Sequence, residues 1–204
     1  MNYNTIRESS KGYEILPLNA LMASENRIIS FTGTVDETSS AELVQQLLFL
    51  DSVSDKPITL LISSGGGSVI DGWSVIDTIM SLRSPVTTVN MCLAGSMAGL
   101  IFLAGSRRLA MPHARLLVHS VAAAGVSAIR LTPHALKDEI DMLTGLSDEL
   151  NAFIHDRTGL ELSEIEAMCS KDTWLTAKES IAKGFVHEII NSVNNLKITN
   201  YTNI

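Results

Sequence analysis

The sequence predicts an α/β protein in which strands alternate with helices along most of the chain. Two apolar runs, residues 57–62 and 86–91, are typical of buried strands, and each is followed by residues with helical spacing of apolar side chains. This β–α order predicts a mostly parallel sheet with helices packed outside it. A chain of 204 residues is expected to form one domain with a complete hydrophobic core.

The first predicted β–α pair begins with a strand at residues 27–32, which ends at Gly33. Thr38 or Ser39 can cap the helix that follows, and this helix continues to about Leu50. Its apolar face is expected to consist of Leu43, Val44, Leu47, Leu48 and Leu50. The pattern therefore predicts a helix that packs on the sheet.

Two further β–α pairs follow. The strand at residues 57–62 is apolar throughout, as expected when both faces of a sheet are covered. The next helix ends before Ser84-Pro85, and its apolar positions are Val69, Trp73, Ile76 and Met80. A strand at residues 86–91 and a helix at residues 97–104 form the third pair.

The second half of the chain contains a long predicted helix. Thr132-Pro133 is a favourable start because proline suits the first helical position, and Gly159 ends the pattern. Apolar residues recur at helical intervals at Leu136, Ile140, Leu143, Leu150 and Ile154. Taken alone, these residues predict an ordinary amphipathic core helix.

Composition argues against several classes of partner. With 15 basic and 22 acidic side chains the net charge is −7, which disfavours nucleic acid or an anionic membrane as a partner. The apolar stretch at residues 91–104 is too short to span a bilayer, and no secretion signal is visible at the N-terminus. We therefore expect a cytoplasmic protein. Its apolar fraction of 46% favours an oligomer that buries additional surface.

The cysteines and histidines suggest no metal or disulfide chemistry. Cys92 and Cys169 are the two cysteines, and Cys92 is expected to be a small core residue of an apolar strand. Four histidines lack the spacing of metal ligands and are expected to be surface or packing residues: His113, His134, His155 and His187. No nucleotide-binding motif is present, so we expect no cofactor or metal.

Ser96 is the first candidate for catalysis. It lies between an extended segment that ends at Gly95 and a predicted helix that begins at Met97. Free amides at a helix N-terminus favour a developing oxyanion, so a serine here could act as a nucleophile. The alternative is that Ser96 simply caps the helix.

His119 and Asp172 complete a possible catalytic set. His119 follows a short predicted strand, and Asp172 lies in a polar turn before a helix that starts at Thr176. Either residue alone could be structural, His119 as a satisfied histidine and Asp172 as a turn or capping residue. In chain order, however, the three residues supply nucleophile, base and a carboxylate that orients the base.

Four segments in this order resemble the proteolytic subunits of the Clp protease family, from about Arg27 to Ile190. The family's usual Asn-Ser-Pro-Gly-Gly-Ser and Ala-Ala-Ser-Met-Gly segments have counterparts in Ser63-Ser-Gly-Gly-Gly-Ser68 and Ala94-Gly-Ser-Met-Ala98. The Met-Ile-His segment and the segment around the family's aspartate have counterparts in Leu117-Val-His119 and Lys171-Asp-Thr-Trp-Leu-Thr-Ala177. Shorter matches are Gln46-Leu-Leu-Phe-Leu50, Asp77-Thr78, Thr158-Gly159 and Lys183-Gly-Phe-Val186.

The resemblance implies a fold and a reaction. The expected fold is the spiral of β–α units shared with crotonases, with a protruding handle helix at about residues 120–158. The expected activity is that of a serine endopeptidase with a triad of Ser96, His119 and Asp172. The resemblance also implies an oxyanion hole formed by the amides of Gly67 and Met97, and a substrate-binding segment that includes Gly66, Ser68 and Val69.

The resemblance also implies partners and chain organisation. Family members hydrolyse unfolded polypeptides inside a chamber of two stacked heptameric rings, and a Clp-type AAA+ unfoldase uses ATP to feed that chamber. Residues 1–26 would then be an N-terminal axial segment, residues 27–190 the proteolytic domain and residues 191–204 a C-terminal tail. The handle helix would interlock the two rings.

Four departures from the family pattern suggest a divergent paralogue. Gly65 stands where the family has proline, which should loosen the glycine loop, and Ser170-Lys171 replaces an Asp-Arg charge pair across the ring interface. The segment from Ser120 to Gly125 lacks the usual Gln-Pro. Aromatic residues that dock the unfoldase are missing at Thr59, Leu61 and Ser81. This chain is therefore expected to work with a second Clp proteolytic subunit.

Two alternatives remain open at this point. A crotonase-like acyl-CoA enzyme would share the spiral fold but would not need a Ser–His–Asp set. A weakly active or structural ring subunit would work in a mixed complex with a paralogous Clp subunit, and its expected mark is a lost triad residue. None of the three residues is lost here.

Overall fold

A seven-stranded sheet forms the centre of the computed structural model, which describes residues 4–9, 12–122 and 132–192. The strands are β1 (Asn4–Ser9), β2 (Gly12–Pro17), β3 (Ile28–Val35), β4 (Ile58–Gly67), β5 (Val86–Gly95), β6 (Arg107–Ala110), β7 (Arg115–Val118), β8 (Thr173–Thr176) and β9 (Glu188–Ile189). The helices are α1 (Leu18–Asn26), α2 (Glu37–Val53), α3 (Val69–Ser81), α4 (Met97–Ala104), α5 (Pro133–Thr158), α6 (Leu162–Cys169) and α7 (Ala177–Ala182).

The sheet is mostly parallel, as the sequence predicts. Strands β3, β4, β5, β6 and β9 lie side by side in that order and run parallel. The second half of β5 pairs instead with β7, also in parallel, and β7 pairs with β8 in antiparallel orientation. Strands β1 and β2 form a separate antiparallel hairpin. The expected fold class, β–α units around a parallel sheet, is confirmed.

Helix α4 is the centre of the core. All eight of its residues are buried, because the sheet covers one side and α3 and α5 cover others. Helix α3 in turn packs on α2, and the three helices share one hydrophobic cluster with the sheet. A helix that is apolar all round is expected only where every face is covered. Since α4 begins directly after Ser96, this packing fixes the backbone at that residue.

The predicted elements are present, but several of their boundaries differ from the prediction. Strand β3 continues through Gly33 to Val35, and β4 and β5 extend to Gly67 and Gly95 because each pairs with its neighbours beyond the apolar run. The start of α2 also differs. This helix is capped by Asp36 and not by Thr38 or Ser39. The Asp36 carboxylate accepts a hydrogen bond from the Ser39 amide at 2.9 Å, and the Ser39 hydroxyl accepts one from the Asp36 amide at 3.0 Å. This reciprocal pair satisfies two otherwise free amides, so the helix starts earlier than predicted.

Several residues expected in the core are exposed. Cys92 is exposed because β5 changes partner around it: its pairing with β6 ends at Asn90 and its pairing with β7 begins at Leu93. Leu48 on α2 is 50% exposed and Met80 on α3 is 57% exposed, so the buried stripes of these helices are narrower than predicted.

Helix α5 begins and ends where the sequence predicts, with Thr132 as N-cap, Pro133 in the first turn and Gly159 in a left-handed conformation after the last turn. Its two ends differ in burial. Leu150 and Ile154 are buried, whereas Leu136 is 44% and Ile140 is 60% exposed. The N-terminal half therefore differs from an ordinary core helix. The expected handle also includes residues 123–131, which lie outside the described residues.

No helix in residues 4–9, 12–122 and 132–192 is both long enough and apolar enough to cross a membrane.

Candidate active site

Ser96 occupies a sharp turn between β5 and α4. Its φ is 50° and its ψ is −129°, a positive-φ backbone conformation that serine rarely adopts. Its amide donates a hydrogen bond to the Leu117 carbonyl at 2.8 Å, and its carbonyl accepts one from the Gly99 amide at 2.9 Å. The hydroxyl makes no capping hydrogen bond. Ser96 is thus held by its backbone, and its hydroxyl does not serve as the helix cap.

The glycine loop packs directly against this turn. Gly66 has a φ of 99°, and a Cβ there would lie 2.6 Å from the Gly95 carbonyl oxygen and 2.7 Å from the Ser96 Cβ. Gly67 has a φ of 154°, and a Cβ there would collide with the carbonyl oxygen of Val35. Both positions require glycine for backbone conformation and for close approach.

The amide of Met97 faces the same loop. Met97 is the first residue of α4, so its N–H has no acceptor within the helix. A Cβ on Gly66 would lie 2.9 Å from this nitrogen, which places the Gly66 backbone beside it. The structure therefore brings together the two segments whose amides, at Gly67 and Met97, are expected to form an oxyanion hole.

A cavity of about 200 Å³ opens at Ser96. Its lining includes His119, Gly67 and Met97, and also Val69 from the expected substrate-binding segment. Its apolar wall includes Leu100, Val118, Val121, Leu150 and Ile154. Two other expected substrate-binding residues do not line it: Gly66 is buried against Ser96, and the Ser68 hydroxyl accepts a hydrogen bond from the Asp71 amide at 3.3 Å.

The sheet places His119 near Asp172. Val118, the last residue of β7, pairs with Thr173, the first residue of β8. His119 directly follows this pair and Asp172 directly precedes it, so both emerge from the same end of the ladder. Gly95 pairs with Leu117 in the β5–β7 ladder, which sets Ser96 at this end of the sheet as well. The topology thus gathers all three candidate residues at one edge.

Their side chains are not joined in this structure. Within the described part of the chain, no hydrogen bond links Ser96 to His119 or His119 to Asp172. Asp172 is exposed and is absent from the cavity lining, whereas Ser96 and His119 are half-buried within it.

The β7–β8 ladder does not continue in register beyond His119. Continuing the register would set Ser120 opposite Lys171. Instead, the Ser120 amide and hydroxyl both donate to the carbonyl of Cys169, at 2.8 and 2.9 Å. The chain after His119 is therefore attached to α6, while Asp172 lies outside that attachment on the surface.

The cavity contains polar groups that the sequence analysis did not assign. Leu150 and Ile154 lie on one face of α5 with Ser147 and Asn151, and that face forms a wall of the cavity. Their spacing of three and four residues was a signal that could have identified this wall. Cys169 also lines the cavity; it is 8% exposed, and burial raises the pKa of its thiol.

The remaining histidines are surface or packing residues, as expected. His113 and His134 are exposed, and the His155 ring nitrogen Nδ1 is 2.7 Å from the Leu160 carbonyl oxygen. The Nδ1 of His187 accepts a hydrogen bond from the Arg108 amide at 3.1 Å. Among the described residues, no three His, Cys, Asp or Glu side chains are grouped as a metal site would require.

Comparisons with a family model and with individual proteins indicate the same family. The family model described as Clp protease matches residues 13–193. The ATP-dependent Clp protease proteolytic subunit of Leuconostoc citreum is 33% identical over 188 residues, which cover 91% of this chain and 92% of that protein. Proteolytic subunit 1 of Protochlamydia amoebophila is 32% identical over 86% of this chain and 85% of that protein. Proteolytic subunit 3 of Synechococcus sp. (strain CC9902) is 35% identical over 80% of this chain and 82% of that protein.

Proposed function

We propose a serine-peptidase function for this chain, which belongs to the Clp protease family. The observation that carries the proposal is the state of Ser96. Its backbone is held in a positive-φ turn at the N-terminus of a buried helix, its hydroxyl is not used as a cap, and it shares a cavity with His119. A hydroxyl in this position is available to react, and amides for an oxyanion lie beside it.

In the proposed reaction, His119 takes the Ser96 proton as Oγ forms a bond to the carbonyl carbon of the peptide. The resulting oxyanion accepts hydrogen bonds from the Gly67 and Met97 amides, and Asp172 orients the imidazole and stabilises its charged form. His119 then protonates the leaving amine as the C–N bond breaks. Water, deprotonated by His119, hydrolyses the acyl-enzyme and restores Ser96. Extended substrate pairs with the chain at Val69, which lines the cavity beside Gly67.

We further propose that the protein works as part of a cytoplasmic ring assembly. Its relatives are named ATP-dependent Clp protease proteolytic subunits, so an ATP-using Clp unfoldase would supply unfolded polypeptide. Two stacked heptameric rings would enclose the sites, with α5 in the contact between them. The exposed apolar side chains of Leu136 and Ile140 on α5 support a contact there, because such residues gain by burial in an interface.

The test is Ser96→Ala with a fluorophosphonate probe and a fluorogenic peptide. We expect loss of probe labelling and of peptide hydrolysis, with assembly unchanged by native mass measurement, since only a hydroxyl is removed. Ser74→Ala is the matched control, because Ser74 is an exposed helical serine whose hydroxyl donates only to the Asp71 carbonyl. Hydrolysis retained by pure Ser96→Ala protein would contradict the assignment.

A second candidate is a weakly active or structural ring subunit. The specific observation in its favour is that His119 and Asp172 are not hydrogen-bonded among the described residues. Under this alternative, wild-type protein would join mixed rings with a typical Clp subunit and remain unlabelled by the probe in them. Labelling of Ser96 in the mixed ring would exclude the purely structural role. The family match disfavours the acyl-CoA alternative.

A further inference from the structure

We infer that Ser64 is a positioning residue for the proposed peptidase site, because its buried hydroxyl fixes the glycine loop against Ser96. This inference rests on the proposed function and adds a residue to it. Ser64 lies in β4, two residues before Gly66, and its side chain is 3% exposed. It does not line the cavity at Ser96, so it would act through Gly66 and not by touching substrate.

The Ser64 hydroxyl makes two hydrogen bonds. It donates to the Gly33 carbonyl oxygen at 2.5 Å and accepts from the Gly66 amide at 3.1 Å. The first bond ties β4 to β3, and the second ties the glycine loop to Ser64. A single hydroxyl thus connects the neighbouring strand with the backbone that touches Ser96.

Backbone pairing is irregular on both sides of this hydroxyl. The β3–β4 ladder shifts register between Thr32 and Thr34, and the β4–β5 ladder shifts between Ile62 and Ser64. Bulges of this kind redirect the chain near functional sites but leave residues without regular ladder partners. The Ser64 hydroxyl supplies a link at the place where the two ladders are interrupted.

Glycine at position 65 has no side chain that could restrain the loop, although its backbone lies beside Gly95. A Cβ on Gly65 would meet no atom within 4 Å, so this part of the loop is open on that side. Glycine also has the widest backbone freedom of any residue. Because no side chain at position 65 restrains the loop, the bond from the Gly66 amide to Ser64 has a larger share in holding it.

Displacement of Gly66 would reach the reacting groups directly. Its Cα lies against the Gly95 carbonyl, Ser96 and the Met97 amide, and it precedes Gly67. A shift of the loop therefore moves the Gly67 amide relative to the Met97 amide, the two expected oxyanion donors. Oxyanion donors act mainly in the transition state, and removal of one typically lowers kcat by about 100- to 1000-fold. A displaced donor is expected to lower kcat by a smaller factor than a donor that is removed.

The experiment compares Ser64→Ala with wild type in the assembled protein. We expect kcat and the rate of fluorophosphonate labelling to fall by roughly 10- to 100-fold while KM changes little. Affinity for a peptide boronate, which forms a tetrahedral adduct on serine, should fall in parallel. Ser64→Thr keeps the hydroxyl and should recover most of the labelling rate.

Ser84→Ala is the matched control. Ser84 is 2% exposed, its hydroxyl donates to the Ser54 carbonyl at 3.0 Å, and it lies on the opposite end of the β4–β5 strands from Ser96. This variant should lower the melting temperature but leave kcat and boronate affinity unchanged. Equal kinetic effects of Ser64→Ala and Ser84→Ala, or no kinetic effect of Ser64→Ala, would overturn the positioning role alone. A wild-type protein that neither labels nor hydrolyses peptides in any assembly would overturn the proposed function and this role with it.

Discussion

The nucleophile side of the candidate site, formed by Gly66, Ser96 and Met97, is held differently from its base side, formed by His119 and Asp172. On the nucleophile side, backbone atoms are in contact: a Cβ on Gly66 would approach three atoms within 2.9 Å. On the base side, the two side chains meet no hydrogen-bonding partner among the described residues, and Asp172 is exposed.

This difference indicates where regulation could act. The nucleophile side depends on a strained serine and close glycine contacts inside one subunit, so the fold itself imposes it. The base side depends on the short segment after β7 and on the turn before β8, and both lie at the surface. A neighbouring subunit that contacts these segments could bring His119 and Asp172 together without altering the rest of the site.

The largest effect that tests this comparison is expected for Asp172→Asn. If Asp172 orients His119 in the working enzyme, kcat should fall by about 10⁴-fold, as loss of this carboxylate does in other triads. The measurement is peptide hydrolysis with the fold checked by thermal unfolding. Asp71→Asn is the control, since Asp71 is an acidic residue in the first turn of α3. Near-normal turnover of Asp172→Asn would show that the base works without this residue.

A smaller but still large effect is expected for Gly66→Ala on the nucleophile side. The added Cβ would need room between Gly95, Ser96 and Met97 in a left-handed conformation, so the turn must move. Misplacement by about 1 Å can lower the rate by roughly 100-fold. Gly65→Ala is the matched control, because a Cβ there meets nothing within 4 Å. Equal turnover of the two variants would show that the contact does not constrain Ser96.

An intermediate effect is expected when a second subunit supports the base side. We expect the purified protein to form rings with low peptidase activity, because Ser170-Lys171 lacks the family's charge pair and Asp172 is not joined to His119. Adding a typical Clp proteolytic subunit whose own serine is replaced by alanine should raise Ser96-dependent turnover by about tenfold or more. Peptide hydrolysis of the protein alone and of the mixture measures this gain.

Two results would contradict partner-dependent activation. One is full activity of the isolated protein. The other is co-assembly of the two subunits, shown by native mass measurement, without a gain in turnover. A mixture that contains the Ser96→Ala variant serves as the control, because any activity that remains there does not come from this chain.

The sequence predicted the scaffold of the site better than its side-chain geometry. Apolar periodicity and terminal signals such as Pro133 and Gly159 depend on local physics, and the corresponding elements appear where expected. The positive-φ turn at Ser96 was not predicted, because it arises from packing of α4 and the glycine loop, which lie far apart in the sequence. The distance from His119 to Asp172 likewise depends on how a ladder ends, and no local pattern encodes that.

Errors in the sequence analysis have the same origin. Cys92 was expected in the core because its neighbours are apolar, but β5 changes partners at this residue and leaves the side chain exposed. Ser64 lies in the glycine-rich segment that follows the predicted strand, and nothing in that segment predicts a role for its hydroxyl. Only folding brings this hydroxyl between the Gly33 carbonyl and the Gly66 amide. Tertiary hydrogen bonds of this kind have no sequence signature.

The smallest expected effect concerns the far edge of the sheet, which belongs to neither side of the site. Burial, together with the charges of Arg108, Arg157 and Arg107, lowers the pKa of His187 below its ordinary value of 6.5. The folded protein therefore binds fewer protons at His187 than the unfolded chain does in this pH range. The contribution of His187 to the free energy of unfolding is complete above about pH 6.5 and is lost as the pH falls towards the lowered pKa. Between pH 7.5 and about 5, the melting temperature should decline less for His187→Asn than for wild type. The reason is that asparagine can accept a hydrogen bond from the Arg108 amide and does not titrate. The variant His113→Asn, at an exposed histidine, should keep the wild-type dependence of melting temperature on pH. If His187→Asn also kept this dependence unchanged, His187 would contribute nothing to the acid sensitivity of the fold.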